Sequence, residues 1–218
     1  MKKNITIAID GTAASGKGTL AKKLAKEFNY AHLDTGKLYR ASALIIKEKD
    51  INYQNLKEII KIIKDYNFTD FDFNNDALKS DKIGKLASLI SGYKELREIL
   101  LLSQRKFANK RHSKRLGVIL DGRDIGTVVL PKANIKFFVT ASLSVRAERR
   151  WKELISLGQS TIKRHVEKDL RDRDERDSKR KHSPLIISPD AVLIDTTNLN
   201  ADEVFLLAKN NVEEYLRY

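Results

Sequence analysis

Apolar positions along this chain switch repeatedly between two periods. Ile5-Thr6-Ile7-Ala8-Ile9 is short and rich in β-branched residues, the pattern of a buried parallel strand. Leu20, Leu24 and Phe28 then recur every fourth residue with Ala21 and Ala25 beside them, which is helix period. The exchange repeats along the chain. Strands are predicted at 30–33, 116–120, 135–139 and 191–194. Helices are predicted at 38–49, around Leu56 to Ile63, over 81–110 with a break near Gly92, and at 144–157, 161–179 and 201–216. The stretch 68–77, F-T-D-F-D-F-N-N-D-A, is polar and aromatic without clear period and reads as a loop. Alternating strands and helices favour an α/β fold on a five-stranded parallel sheet. No repeat or flexible linker divides the chain, so a single domain is expected.

Between the first strand and the first helix lies G-T-A-A-S-G-K-G-T, made of Gly11, Thr12, Ala13, Ala14, Ser15, Gly16, Lys17, Gly18 and Thr19. A glycine-bearing loop there forms a phosphate cradle, because its N–H groups converge and the helix N-terminus adds partial positive charge. Lys17 is placed to reach the outer phosphates. The strict P-loop pattern has Ser or Thr directly after the lysine; here Gly18 stands there and Thr19 follows.

Composition narrows the setting. The chain has 218 residues, 41% apolar and 33% charged, with no Cys, so neither a disulfide framework nor a thiolate metal site is available. The start of the sequence lacks the apolar segment of a signal peptide, and no apolar run is long enough to span a bilayer. A soluble cytoplasmic protein with no membrane partner, and a monomer, is expected. The net charge of +13 points to polyanionic ligands. The basic run 105–115 reads as a solvated helix end, and His32, His112, His165 and His182 have no metal-ligand spacing.

Ligands of parallel sheets bind beyond the strands' carboxyl ends, and here those ends carry Asp34-Thr35-Gly36 and Asp121-Gly122-Arg123-Asp124, with Arg40 one turn further on. A carboxylate ending an apolar strand downstream of a phosphate loop is where Mg²⁺ is organised. With no hydroxyl at Gly18, the ion is expected to be held through water by Asp34 or Asp121. Arg146, Arg149 and Arg150 form one basic cluster; Arg173, Arg176, Asp177 and Arg180 share one face of the next helix. Two arginine-bearing helices joined at Gly158 look like a hinged lid, which would supply positive charge and exclude water during phosphoryl transfer.

These elements together resemble the cytidylate kinases. The resemblance rests on the loop at 11–19, L-D-T-G-x-x-Y-R ending at Arg40, D-G-R-D-I-G-T-V-V-x-P ending at Pro131, R-x-x-R-D-x-x-R ending at Arg180, and Ser183-Pro184-Leu185. It implies a P-loop NTPase-type three-layer α/β/α fold with a helical lid, and Mg²⁺-dependent transfer from ATP to CMP, with dCMP as a further acceptor. A core of about 1–36, 116–145 and 186–218, a nucleotide-binding segment of about 37–110 and a lid of about 146–184 would follow. The loop amides and Lys17 would hold the ATP phosphates. Arg40, Arg123 and Arg173 would bind the CMP phosphate, with Thr35 beside them; Asp177 would hold the ribose, and Asp124 with Arg180 would read the base. Lys17, Arg123, Arg146, Arg150 and Arg173 would be the catalytic cations.

The sequence departs from the family pattern in two places. Ala14 stands where the family usually has Gly, so a positive φ there would be strained. The segment before Asp81 reads as a reduced acceptor-binding insert, and the family's I-R-T element is Leu78-Lys79-Ser80. Lys79 offers charge without the bidentate fork of arginine, which predicts retained catalysis with weaker or altered CMP binding. The alternatives are another P-loop kinase, for UMP, AMP or shikimate, and a basic nucleic-acid-binding module. Against the second, no RNA-binding aromatic pattern or recognition helix is present, so nucleotides rather than nucleic acid are the expected partners.

Overall fold

β1 (Ile5–Gly11) is paired on both sides, with β3 (Gly117–Gly122) and with β4 (Ile135–Thr140), every pairing parallel. β2 (Ala31–Asp34) and β5 (Val192–Asp195) complete the sheet in the order β2-β3-β1-β4-β5. The computed structural model describes residues 5–68, 71–110, 112 and 115–217. Parts of the basic run 105–115 and of the aromatic loop 68–77 therefore lie outside the described residues.

Alternation along β1 sorts its side chains between two apolar layers. Ile5, Ile7 and Ile9 pack with Leu20 and Leu24 of α1 (Lys17–Glu27) and with Val204, Ala208 and Val212 of α8 (Ala201–Arg217). Ala8 faces the opposite layer with Leu120, Ile125 and Ala108, the last on α5 (Lys94–Asn109). The result is the expected three-layer α/β/α arrangement. The connection leaving β1 runs to β2 at one edge of the sheet, whereas the one leaving its neighbour β4 runs to β5 at the other. The loop after β1 therefore sits at the topological switch point, where α/β sheets bind ligands.

Two further apolar clusters sit beyond the sheet. α2 (Thr35–Glu48), α3 (Leu56–Asp65), α4 (Asp81–Ile90) and α5 share a core of Ile45, Ile46, Ile59, Ile63, Ile83, Ile90, Leu96 and Leu100. The expected break near Gly92 is the turn between α4 and α5. Phe68, Phe71 and Phe73 are not merely solvated loop: they join Tyr66 against this core, with ring centroids 5.1–6.2 Å apart. α6 (Leu143–Ser156) and α7 (Lys163–Lys179) pack on each other through Ala147, Leu154, Val166 and Leu170, with Trp151 beside them. Trp151 donates its indole N–H to the Thr161 carbonyl at 3.0 Å. Among the described residues no helix is long and apolar enough to cross a membrane.

Candidate active site

The loop after β1 owes its shape to a few backbone positions. A Cβ on Gly11 would lie 2.0 Å from the Val139 carbonyl oxygen, so only glycine lets β1 run this close to β4. Gly16, the residue before α1, has φ 92°. Ala14 has φ 59°, the strained conformation foreseen from its side chain. Left-handed geometry costs a non-glycine residue ~1–2 kcal/mol, while glycine loses about 0.5–1 kcal/mol of chain entropy relative to alanine. Ala14→Gly is expected to gain about 0.5 kcal/mol and to raise the melting temperature by roughly 1–2 °C. A lower melting temperature would show that the loop is unstrained.

The lid helices α6 and α7, together the flap over the cleft, grip this loop. Arg146, buried on α6, donates to the carbonyls of Ala141 at 2.8 Å and Ala13 at 3.2 Å and is paired with Asp174, whose carboxylate accepts from the Ala13 N–H at 3.4 Å. Arg149 donates to the Thr196 hydroxyl and carbonyl, both at 2.8 Å, and Thr196 donates to the Ser15 carbonyl at 3.1 Å. Of the cations expected on the lid, these two hold the loop's framework. Arg150 and Arg173 face the cleft instead. The Ser15 hydroxyl is buried without a partner inside the loop. On the loop's outer side, Ser15, Thr19, Arg149, Thr196 and Asn200 line a separate hollow of about 210 Å³.

Lys17 begins α1 and lines a cavity of about 270 Å³ under the flap. Burial, then the nearby Arg123, lowers its pKa to about 7. Asp34 and Asp121, the last carboxylates of β2 and β3, lie opposite one another in the sheet register and line the same cavity. Burial first, then the charge of Asp121, raises the Asp34 carboxyl above its ordinary range. A half-buried and a buried carboxylate side by side repel one another unless a cation lies between them, so this pair fits a hydrated Mg²⁺ of the kind expected from the sequence. Thr35 lines the cavity too, its hydroxyl donating to the Asp121 carbonyl at 2.8 Å.

Guanidinium groups dominate the cavity's far wall. Arg40, Arg123, Arg150, Arg173 and Arg180 all line it. Buried Asp177 holds three of them, accepting from Arg123 Nε at 2.9 Å, with Arg180 Nη1 at 3.6 Å and Arg173 Nε at 3.9 Å. Burial, then Arg123, pulls the Arg173 pKa down to about 9, because its positive neighbours outweigh Asp177. A dianionic ligand would relieve that crowding. Arg40 is steadied by the Leu78 carbonyl, to which it donates at 2.6 Å.

Lys79 stands elsewhere. It ends a short 3₁₀ turn, its ammonium 2.6 Å from the exposed carboxylate of Asp76, and it lines neither the cavity under the flap nor the neighbouring one of about 590 Å³ between α4 and α7. An exposed pair of this kind is worth ~0–1 kcal/mol. Lys79→Ala should therefore change the KM for the acceptor less than twofold by steady-state kinetics, whereas a tenfold rise would place Lys79 on the ligand.

Asp124 ends the turn after β3. Asp10 fixes the following residues, its carboxylate accepting from the N–H groups of Ile125 at 2.8 Å and Gly126 at 2.7 Å. Arg97, a residue not singled out in the sequence, donates to Asp124 at 2.6 Å and to the Ser91 carbonyl at 3.1 Å, and lies over the Tyr39 ring. The signal for it was present: Arg97 falls in the inward stripe of α5 with Leu96, Leu100, Gln104 and Ala108, where a charge must have a partner. Arg97 Nε, Arg173 Nε and Arg180 Nη2 are buried without hydrogen-bond partners, and all three residues line the cavity.

Phosphoryl transfer between anions asks for positioned positive charge and little covalent chemistry, which is what this cleft provides beside a phosphate loop. The fold and the site define a P-loop small-molecule kinase. The fold alone is shared with a sugar kinase from Janibacter sp., at TM-score 0.53 and 12% identity over 97% of this chain and 95% of that one. The chain belongs to the cytidylate kinase family, whose model matches residues 7–214. It is similar to the cytidylate kinase of Rhodospirillum rubrum, 43% identical over 202 residues, covering 93% of this chain and 94% of the relative. It is likewise similar to that of Xanthobacter autotrophicus, 44% identical over 209 residues, 96% of this chain and 97% of the relative. The segment read as reduced is a helical unit with its own core.

Proposed function

We propose that the protein transfers the γ-phosphoryl group of ATP to CMP, and to dCMP, releasing ADP and CDP or dCDP. The observation that carries this reading is Asp124 set among unpartnered guanidinium N–H groups of Arg97 and Arg180 in one cavity. The pairing edge of cytosine presents an amino donor beside a ring nitrogen and a carbonyl that accept. A carboxylate flanked by donors matches that order, whereas uracil would bring a carbonyl against Asp124. The hollow on the loop's outer side, lined by Thr19, Arg149 and Asn200, would take the donor nucleoside.

In this reading the acceptor phosphate lies among Arg40, Arg123, Arg150 and Arg173, and Lys17 with the loop amides holds the donor phosphates. A phosphate monoester has a second pKa of ≈ 6, so at neutral pH the attacking oxygen is already anionic and needs no base. That oxygen bonds to the γ-phosphorus as the bond to the β-phosphate oxygen breaks, and the departing charge stays with ADP near Lys17. Arg150 and Arg173, carried on the flap, cover the cleft and exclude the water that would otherwise compete. Asp34 and Asp121 would hold a hydrated Mg²⁺, which when bound neutralises charge on the donor phosphates. Asp177 is already engaged by three arginines and does not depend on a ribose hydroxyl, which supports dCMP as an acceptor.

An ADP-release assay with Mg-ATP and a panel of CMP, dCMP, UMP, AMP and shikimate tests the reading. Selective turnover of CMP and dCMP is expected. Turnover of only AMP or shikimate would overturn it.

A further inference from the structure

His32 has no metal-ligand spacing and lines a hollow outside the cleft, yet its ring touches Asp121, a carboxylate that lines the cleft. It lies on β2, two residues before Asp34, so both side chains emerge on the same face of the sheet. In the register of β2 against β3, His32 lies opposite Ile119 and Asp34 opposite Asp121. Asp121 is thus the diagonal neighbour of His32, within reach of a long side chain. His32 Nε2 is 2.7 Å from Asp121 Oδ1, and the two side chains are 16% and 4% exposed. The carboxylate can only accept, so the imidazole donates, and a neutral ring with its proton on Nε2 is enough.

The contact decides which oxygen of Asp121 faces the ligand. Thr35 holds the Asp121 carbonyl, His32 occupies Oδ1, and Oδ2 is left pointing at the phosphate loop. It lies 3.7 Å from where a Cβ on Gly18 would stand. The same oxygen therefore looks onto the place where the common P-loop pattern has a hydroxyl side chain. In its absence, the carboxylate must be held in one orientation to organise water and cation beside Lys17.

We propose that His32 is a positioning residue for the phosphoryl-transfer reaction: it pins Oδ1 of Asp121 so that Oδ2 is presented to the donor phosphates and their hydrated cation. The inference rests on the kinase reading above. It concerns the donor side of the cleft, so it holds for whichever acceptor the protein uses.

The test compares His32→Leu, which removes the donor, with His32→Gln, whose amide can reach the same oxygen. Partners of this kind typically change metal affinity or activity by ~10–100-fold. For H32L, the Mg²⁺ concentration at half-maximal rate is expected to rise about tenfold and kcat to fall by about as much. The KM for the acceptor should stay within twofold. Mn²⁺ binding to the protein with a non-hydrolysable ATP analogue, read by electron paramagnetic resonance, should weaken to the same extent without turnover. H32Q should recover most of both losses.

An H32L protein with unchanged Mn²⁺ affinity and Mg²⁺ dependence would overturn the proposal, even if it melted earlier. So would an H32Q protein no better than H32L. Should H32L fail to fold, His32→Asn, polar but too short to reach, takes its place in the comparison. The panel assay of the wild-type protein tests the kinase reading separately, because its outcome does not depend on His32.

Discussion

Lys17→Met should lower kcat by about 10³-fold while leaving the fold intact, the upper range for losing one positioned group that stabilises charge in the transition state. Lys17 opens α1 directly behind Gly16 and is surrounded by Asp34, Asp121, Arg123 and Arg173. Methionine keeps the length and the apolar stem of the side chain, so the change is almost purely one of charge. The same surroundings give a second signature. Burial and Arg123 hold the Lys17 pKa at about 7 in the free protein, well below its ordinary 10.5. A bound triphosphate favours the ammonium and raises that value again. Binding must then take up a proton wherever the free protein has lost it and the complex keeps it, which is the range above about pH 7. ATP affinity is therefore expected to fall as pH rises through 7 to 9, by up to tenfold per pH unit for one proton. Calorimetric titration at pH 8 in two buffers of different ionisation enthalpy would measure an uptake approaching one proton. Lys17→Met should abolish that uptake, and a pH-independent affinity in the wild-type protein would refute the linkage.

The phosphate loop and the sheet were legible because they depend on local signals: β-branched runs, glycines and helix period. Even the strain at Ala14 could be foreseen, since the position requires a positive φ that alanine resists. Side-chain aim was harder to read. Arg146, Arg149 and Arg150 look alike in the sequence, but the first two are consumed by backbone carbonyls around the loop, and only the third lines the cavity. Face-sharing rules place a guanidinium on a helix surface without saying whether it meets a ligand or a carbonyl. Lys79 illustrates the same gap: its position in the motif suggested a phosphate, and its partner is Asp76, three residues before it. The aromatic residues of 66–73 were hidden differently. They are half-buried along a loop, and a loop has no period to betray which of its residues turn inward.

Arg97 matters most among the residues that sequence patterning passed over, because it determines what Asp124 can do. Asp124 Oδ2 is committed to Arg97, so its other oxygen is the one available to a ligand. Replacing Asp124 by Asn should leave the amide oxygen toward Arg97, since a guanidinium can only donate. The amide nitrogen then faces the cavity where an acceptor stood. Against CMP, two donors now meet, and losing a hydrogen bond to a charged group while leaving a buried donor unpaired costs about 2–3 kcal/mol. Against UMP the new donor meets a carbonyl and gains about 1 kcal/mol. The ratio of kcat/KM for CMP over UMP should fall on the order of 10³-fold, within the range open to sites that select by buried polar pairing. Asn also weakens the ion pair with buried Arg97, so a lower melting temperature is expected, and breaking such a pair outright costs about 3–5 kcal/mol. Stability and selectivity can be separated by assaying both acceptors well below the melting transition. A general loss of affinity lowers both acceptors together, whereas a change in what Asp124 presents to the base moves them in opposite directions. Parallel losses for CMP and UMP would remove Asp124 from base recognition and leave it a structural partner of Arg97.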